Sequence, residues 1–541
     1  MSQAPPSAGK ERIFLRRASG LIKSAGAFDT FVFNIGLVSV GLGVGTIMLY
    51  GPAFYPGGDL LVACVLAGVM MTLIAFGMIT WTVTLPRSGG IYVFGSRGLP
   101  PWLALTLSLV EITAWLFYCA IAAYWIVLIG VSPTLAMIGY ITGNDGALAA
   151  SRWVLRPWPM FLIGSAILVL SGMILARGMK AYLLTQKIVF TLALLGSILL
   201  IVVLALSSHE EFVARFNALM TPLLGVDDPY NAIIASAAGN GWGVPQATLW
   251  GPTVQVANWA FLPLVGAAFS IAVGGEIKSV SRSQTIGMLG AIGASVLIWV
   301  ITIALCNAVF GYEFLGAAVY NQFQGVGLTT PTNAAITLLA GIATNSWIVT
   351  ALVSLGLIFW MWMWIPGMHT FAVRALVAWA FDRVAPAPLG QVSDTRHTPV
   401  TAIVFSVAVT IVFLAGFVFT DFFSAIVIFI EAAILAWSIV LLAGIFFPYT
   451  RRDLYKRSPI SEKTVLGLPL MTVACTLGFL GSQFFFWNLF FDPIAAGHET
   501  NQLMTVGGVF LAGVVFYFVM AAFRRSQGVD VRLAFKEIPI E

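Results

Sequence analysis

Gly41-Leu42-Gly43-Val44-Gly45 interrupts the first long apolar run of the chain, and that run is one of about twelve. Three glycines in five residues weaken a helix by roughly 1 kcal/mol each relative to alanine. Hydrocarbon offers no partner for a freed N–H or C=O. Broken backbone at that depth therefore persists only where it is buried in protein or lines a cavity. Small residues spaced four apart, as Gly41 and Gly45 are, also let membrane helices pack closely. The stretch reads either as a break that opens main-chain amides to a ligand or as a packing face.

Around it, the composition is that of a membrane bundle. The 541 residues are 59% hydrophobic and 9% charged, against about 25% charged in a soluble domain, and the mean hydropathy is +0.96. A spanning helix needs about 20 apolar residues. Candidate spans fall at 28–54, 60–85, 101–130, 157–176, 182–206 and 255–275. Six more follow at 285–311, 346–372, 399–419, 421–447, 464–488 and 503–523. Segments 131–156 and 207–254, rich in Gly, Asn, Asp and Ser, read as long connections; 331–345 reads as a short helix lying against the bundle. Residues 373–384 continue helix 8 as an interfacial helix.

The net charge of +5 reports orientation rather than a nucleic-acid partner. With an inner N-terminus and twelve spans, 24 of the 27 Lys and Arg fall on the inner side, leaving only Arg152, Arg156 and Arg215 outside. This is the positive-inside bias. Cys64, Cys119, Cys306 and Cys475 lie singly in apolar runs and read as small core hydrophobes, and the four histidines are scattered, so neither a metal nor another cofactor is expected.

Helix 6 supplies a second interruption. Phe261-Leu262-Pro263-Leu264-Val265-Gly266-Ala267-Ala268 places Pro and Gly near the middle of a span, five spans after the first break. Paired interruptions in corresponding positions of two halves point to the binding site of a secondary transporter. Two acids lie within spans: Glu111, about a third of the way into helix 3, and Glu431, in helix 10. Charge at such depth is costly and usually faces a cavity or a partner, so each is a candidate for the coupling proton or the cationic end of a substrate. Glu276 and Asp382, with Arg282 and Arg374 nearby, read as a charge latch at the inner face.

Four motifs then carry a family resemblance. Gly275-Glu276-Ile277-Lys278-Ser279-Val280-Ser281-Arg282 resembles the "GEvKNPxR" signature after helix 6 in the amino acid–polyamine–organocation (APC) superfamily. The run from Arg374 to Pro386 resembles "RvlyAmARDGllP", Thr398-Pro399-Val400-Thr401-Ala402 resembles "TPvxA", and Pro86-Arg87-Ser88-Gly89-Gly90-Ile91-Tyr92 resembles "PxxGGxY".

The resemblance implies an all-α fold like that of the bacterial leucine transporter, with helices 1–5 and 6–10 as inverted repeats and helices 1 and 6 discontinuous. Residues 27–450 would form the transport core, 451–523 the peripheral helices 11 and 12, and 1–26 and 524–541 cytoplasmic tails. Main-chain groups of Gly41, Leu42, Gly43, Val44, Gly45 and Thr46, with Leu264, Val265, Gly266, Ala267 and Ala268, would grip the carboxylate and amine of an amino acid. The chain departs from the family in having Ala267 where an aromatic is usual and Ala268 where an acid often follows. Alanines there suit a bulkier side chain or a substrate that is not an amino acid. The lysine some proton-coupled relatives carry in helix 5 is matched by Ala193, and no Ser or Thr lies between Ser354 and Thr370, where sodium-coupled relatives use a hydroxyl; that gap is filled by the bulky run 359–364.

The expected function is a secondary active transporter in the plasma membrane, moving an amino acid, amine or similar small solute by alternating access. The alternatives are an exchanger or uniporter for another organic cation or a nucleobase and, less favoured, a membrane enzyme. No G-x-x-x-x-G-K-[ST] loop for nucleotide binding occurs.

Overall fold

The computed structural model describes residues 21–332, 335–420, 428–495 and 497–531. Most of the two expected tails and the expected start of helix 10 at 421 lie outside them. Among the described residues, twelve helices are long and apolar enough to cross a membrane. They are helix 1 (Ala27–Phe54), 2 (Leu60–Thr84), 3 (Pro101–Thr142), 4 (Pro157–Leu175), 5 (Met179–Leu206) and 6 (Trp250–Ala272). Helices 7 (Val280–Phe310), 8 (Trp347–Phe381), 9 (Val400–Phe419), 10 (Phe429–Thr450), 11 (Leu470–Phe490) and 12 (Thr500–Ser526) complete the set.

Burial sorts these helices into centre and rim. The most apolar windows of helices 1 and 6 are each 89% buried in protein, whereas that of helix 12 is 11% buried. A helix at the rim turns its apolar side chains toward lipid, but one at the centre must satisfy every polar group within the protein. Helix 11 packs on helices 2 and 10, and helix 12 on helix 3, outside the central pair.

Two expected connections are helical instead. Helix 3 runs on to Thr142 because Ile126–Val131 continues it as a π-helix, and Asp145–Trp153 follows. Pro133 sits just after the π-helical turn, in the first turn of the continuing segment. Segment 207–254 holds helices His209–Leu224 and Pro229–Gly239. The short helix expected at 331–345 is Ile336–Thr344, and Tyr312–Gln324 precedes it.

Candidate functional site

Helix 1 is broken, but at Ser39 rather than at Gly41–Gly45. The first half, helix 1a, is Ala27–Val38, and the second, helix 1b, is Val40–Phe54. Ser39 adopts the left-handed conformation, with φ 51° and ψ 68°. Such a conformation in a residue bearing a Cβ is strained and persists only where its surroundings enforce it. Here the Ser39 N–H donates back to the carbonyls of Ile35 and Gly36, at 3.2 and 3.1 Å, while its own carbonyl accepts from Gly43 N–H at 3.1 Å. From helix 7, Trp299 Nε1 donates to the Val40 carbonyl at 2.8 Å.

The three glycines stay helical and serve different purposes. A Cβ on Gly41 would meet the side chains of Leu357 and Trp360, and one on Gly43 would overlap the Trp299 ring. Those two positions are packing faces against helices 8 and 7. A Cβ on Gly45 would meet nothing within 4 Å. The cavity on that side, about 40 Å³, is lined by Gly41, Leu42 and Gly45 together with residues of helices 3 and 8 and segment 312–345. Val44 and Thr46 are buried; Thr46 Oγ1 reaches the Gly43 carbonyl (3.2 Å) and, across to helix 6, the Trp259 carbonyl (3.3 Å).

Helix 6 changes character where its Pro–Gly pair predicts. Its α-helical part ends at Leu264, and Val265–Ala272 is a 3₁₀-helix of 8 residues. Runs beyond three or four residues are uncommon in that tighter coil, and a stretch within a longer helix often marks a hinge. Side chains bracket it. Asn34 Nδ2 donates to Ser270 Oγ at 3.0 Å, Ser270 N–H donates to Asn34 Oδ1 at 3.0 Å, and Gln284 Nε2 donates to the Ser270 carbonyl at 3.1 Å. Leu264, Val265, Ala267 and Ala268 are buried. Gly266 lies where the helices cross: a Cβ there would come within 2.0 Å of the Leu37 carbonyl oxygen. The main chain of helix 6 thus rests on that of helix 1, two residues before the Ser39 break.

The two intramembrane acids are separated. Glu111 is fully buried and accepts from Trp437 Nε1 of helix 10 at 2.5 Å, while its Oε2 has no hydrogen-bond partner among the described residues. Around it Trp115, Phe269, Phe371 and Trp437 draw helices 3, 6, 8 and 10 into one aromatic cluster, with the Trp115 and Phe269 centroids 4.5 Å apart. Glu431, in the first turn of helix 10, instead lies against Gly497, between helices 11 and 12. Of the bulky run 359–364, Trp360 packs toward helix 5, its Nε1 donating to Ser197 Oγ at 2.9 Å; Trp364 Nε1 has no hydrogen-bond partner among the described residues.

At the end of the bundle carrying residues 24–26, the expected charge cluster divides into two buried pairs. Arg374 grips Glu276 through two hydrogen bonds, Nε to Oε1 at 2.7 Å and Nη2 to Oε2 at 3.0 Å. Asp382 pairs with Arg97 at 3.1 Å and accepts from the Tyr92 hydroxyl at 3.0 Å. Gly89 and Gly90, with φ of 126° and 58°, make the turn that brings Tyr92 and Arg97 there, and Gly89 N–H donates to the Ala272 carbonyl at 2.9 Å. Only glycine adopts such angles readily. Ser24 and Ala25 N–H donate to the Glu276 carbonyl at 2.9 and 3.1 Å.

Arg282 does not join this cluster. It is exposed and lines an open groove with Lys23, in the first turn of helix 7 just after the left-handed Ser279 (φ 47°). Arg97, which spacing alone did not reveal, takes the expected place. Replacing Arg282 with Ala should change stability by no more than about 0.5 kcal/mol, as for ordinary surface positions. A melting curve in detergent checks this.

The opposite end is held by hydrogen bonds to one buried carboxylate. Asp492, beyond helix 11, accepts from the Tyr55 hydroxyl at 2.7 Å and from the amides of Ile494 and Ala495 at 2.8 and 2.9 Å. Trp259 Nε1 donates to the Tyr55 oxygen at 3.1 Å, and the Trp259 ring stacks on Tyr50 with centroids 3.9 Å apart. Burial, then the nearby Asp492 charge, holds the Tyr55 hydroxyl well above its usual range, so it remains a donor. Helices 1b, 6 and 11 are tied together there. No sequence motif marks Asp492.

A bundle of twelve apolar helices, with a broken pair crossing main chain to main chain at its centre, defines a multi-pass membrane protein of the transporter class. The profile of the family described as Amino acid permease matches residues 26–517. The chain belongs to that family, within the APC superfamily. It is also similar to an uncharacterized transporter of Rhizobium meliloti (strain 1021), 24% identical over 400 residues that cover 73% of each chain.

Proposed function

We propose that the protein is a secondary active transporter that moves an amino acid, amine or similar small solute across the plasma membrane by alternating access. The observation that carries the reading is the crossing itself: helix 1 turns at Ser39, helix 6 changes from α to 3₁₀ at Leu264–Val265, and Gly266 lets the two meet. Amides at the start of helix 1b precede its first intrahelical bond and carry the positive end of its dipole. A carboxylate placed against Val40–Leu42 would accept from them, and the ends of helix 1a and of the α-helical part of helix 6 offer carbonyls to an ammonium group. Substrate binding at a helix break in each half agrees with a leucine-transporter-like pair of inverted repeats.

In this reading the basic end of the bundle faces the cytoplasm, by the positive-inside rule. Two of the ion pairs at that end, Glu276–Arg374 and Arg97–Asp382, are buried. The glycine face of helix 1b borders cavities toward the other end. The geometry fits a carrier closed to the cytoplasm, with Glu276–Arg374 and Arg97–Asp382 as its latch. Glu111, joined to helix 10 through one indole N–H, is the candidate for a coupling proton.

Counterflow in proteoliposomes tests the function. Vesicles loaded with a mixture of unlabelled amino acids should accumulate a labelled one transiently and saturably, and empty vesicles should not. Flux that never saturates, or is unaffected by internal solute, would refute a carrier mechanism.

A further inference from the structure

The cavity beside helix 1b specifies what kind of solute fits, given the binding mode proposed above. Gly41 and Leu42, in the first turn after the Ser39 break, line it, and Gly45 opens onto it one turn further along. Ile129 from the π-helical turn and Leu357 and Met361 from helix 8 form its far side. None of the lining residues carries a charge. A neighbouring cavity of about 100 Å³ shares Leu42, Leu49 and Ile129 and extends toward Tyr50, Trp125 and Phe323, again with no charged residue in its lining. Neither is lined by Glu111, the buried carboxylate nearest the centre.

We infer that this cavity receives an uncharged, apolar side chain, so that the preferred solutes are neutral amino acids with aliphatic or aromatic side chains rather than acidic, basic or polyamine solutes. A charged side chain in this lining would lose its hydration with no counter-charge to replace it. An apolar one gains by leaving water for this lining. The size agrees: a water needs about 10–15 Å³ of such space, so the two cavities, about 40 and about 100 Å³, suit a branched or aromatic side chain. The smaller cavity has one polar side chain in its lining, while Thr46, Tyr50 and Gln322 line the larger one. Thr337 lines the smaller cavity, is 1% exposed, and its hydroxyl has no partner among the described residues. It leaves one hydrogen bond for a thioether or for a water carried in with the solute.

The test is competition for labelled leucine in counterflow, using the full chain in proteoliposomes. Isoleucine, methionine and phenylalanine should compete at least tenfold more strongly than glutamate, lysine or putrescine. Gly45→Leu, which fills the cavity, should lower the ratio of leucine to alanine uptake at least tenfold, and Thr337→Val should alter methionine competition more than leucine competition. Equal competition by lysine, glutamate or putrescine would overturn the inference while leaving the carrier intact. So would a Gly45→Leu protein that folds with an unchanged leucine-to-alanine ratio. If Gly45→Leu does not fold, the wild-type competition series decides alone. Absence of exchange with any amino acid would instead refute the binding mode on which the inference rests.

Discussion

Gly266→Ala should abolish transport and sharply reduce the yield of folded protein. The added methyl would lie 2.0 Å from the Leu37 carbonyl oxygen, 2.3 Å from its carbon and 2.8 Å from Val38 N. All three are backbone atoms, so no side chain can swing aside to make room. Ordinary overpacking costs about 1–3 kcal/mol when neighbours can shift. Here a shift would have to part helix 6 from helix 1a and strain the Asn34–Ser270–Gln284 bracket beside it. Gly45→Ala is the control for folding, because a methyl at Gly45 meets nothing within 4 Å and alanine is the better helix former by roughly 1 kcal/mol. Its elution profile and melting temperature should match or exceed wild type, whereas Gly266→Ala should elute largely as aggregate. A monodisperse Gly266→Ala protein that exchanges substrate normally would show that the helices need not touch there.

The twelve spans were legible because hydrocarbon imposes a length and an apolarity that few other segments meet. The helix 6 transition was legible for a local reason: proline and glycine mark where an α-helix weakens, and the α-helical part ends one residue past Pro263. Helix 1 shows where local reasoning stops. Its glycines suggested the site of the break, but tertiary packing of Gly41 on Trp360 and of Gly43 on Trp299 compensates their low propensity. The strained residue is Ser39, which nothing in the local sequence singles out. The expected loop at 131–156 became helix because a π-turn carries helix 3 past the point where its apolar run fades.

Partnerships across the chain were the least legible. Arg97 and Asp382 are 285 residues apart in sequence, and Tyr55 and Asp492 are 437 apart. No spacing rule relates such positions. Glu111 and Glu431 looked alike as lone acids in apolar runs, yet one lies in an aromatic cluster among four helices and the other against the turn beyond helix 11. Arg282 matched the arginine of a motif, whereas the guanidinium that pairs with Asp382 comes from Arg97, next to a different motif.

The second large effect is expected at the Glu276–Arg374 pair. Their side chains are only 1% and 5% exposed, and two hydrogen bonds join them. Removing one partner leaves a buried charge without compensation, which typically costs about 3–5 kcal/mol. Glu276→Gln and Arg374→Met should therefore each lower the melting temperature markedly. Combined in one protein they should recover more than half of that loss, since the double variant buries no net charge and the non-additivity measures the coupling between the two residues. The Arg282→Ala result should be small by comparison, because that guanidinium is already in water. Transport adds a second reading of the same variants. If the pair only stabilises the fold, the double variant regains transport in step with its melting temperature. If the pair latches the cytoplasmic end, the double variant stays folded but slows or leaks, because only one of the two buried ion pairs of the latch, Arg97–Asp382, then remains. Melting temperatures of the two single variants and the double variant that simply add would show that Glu276 and Arg374 are not coupled in the folded protein, and the latch would then rest on Arg97 and Asp382.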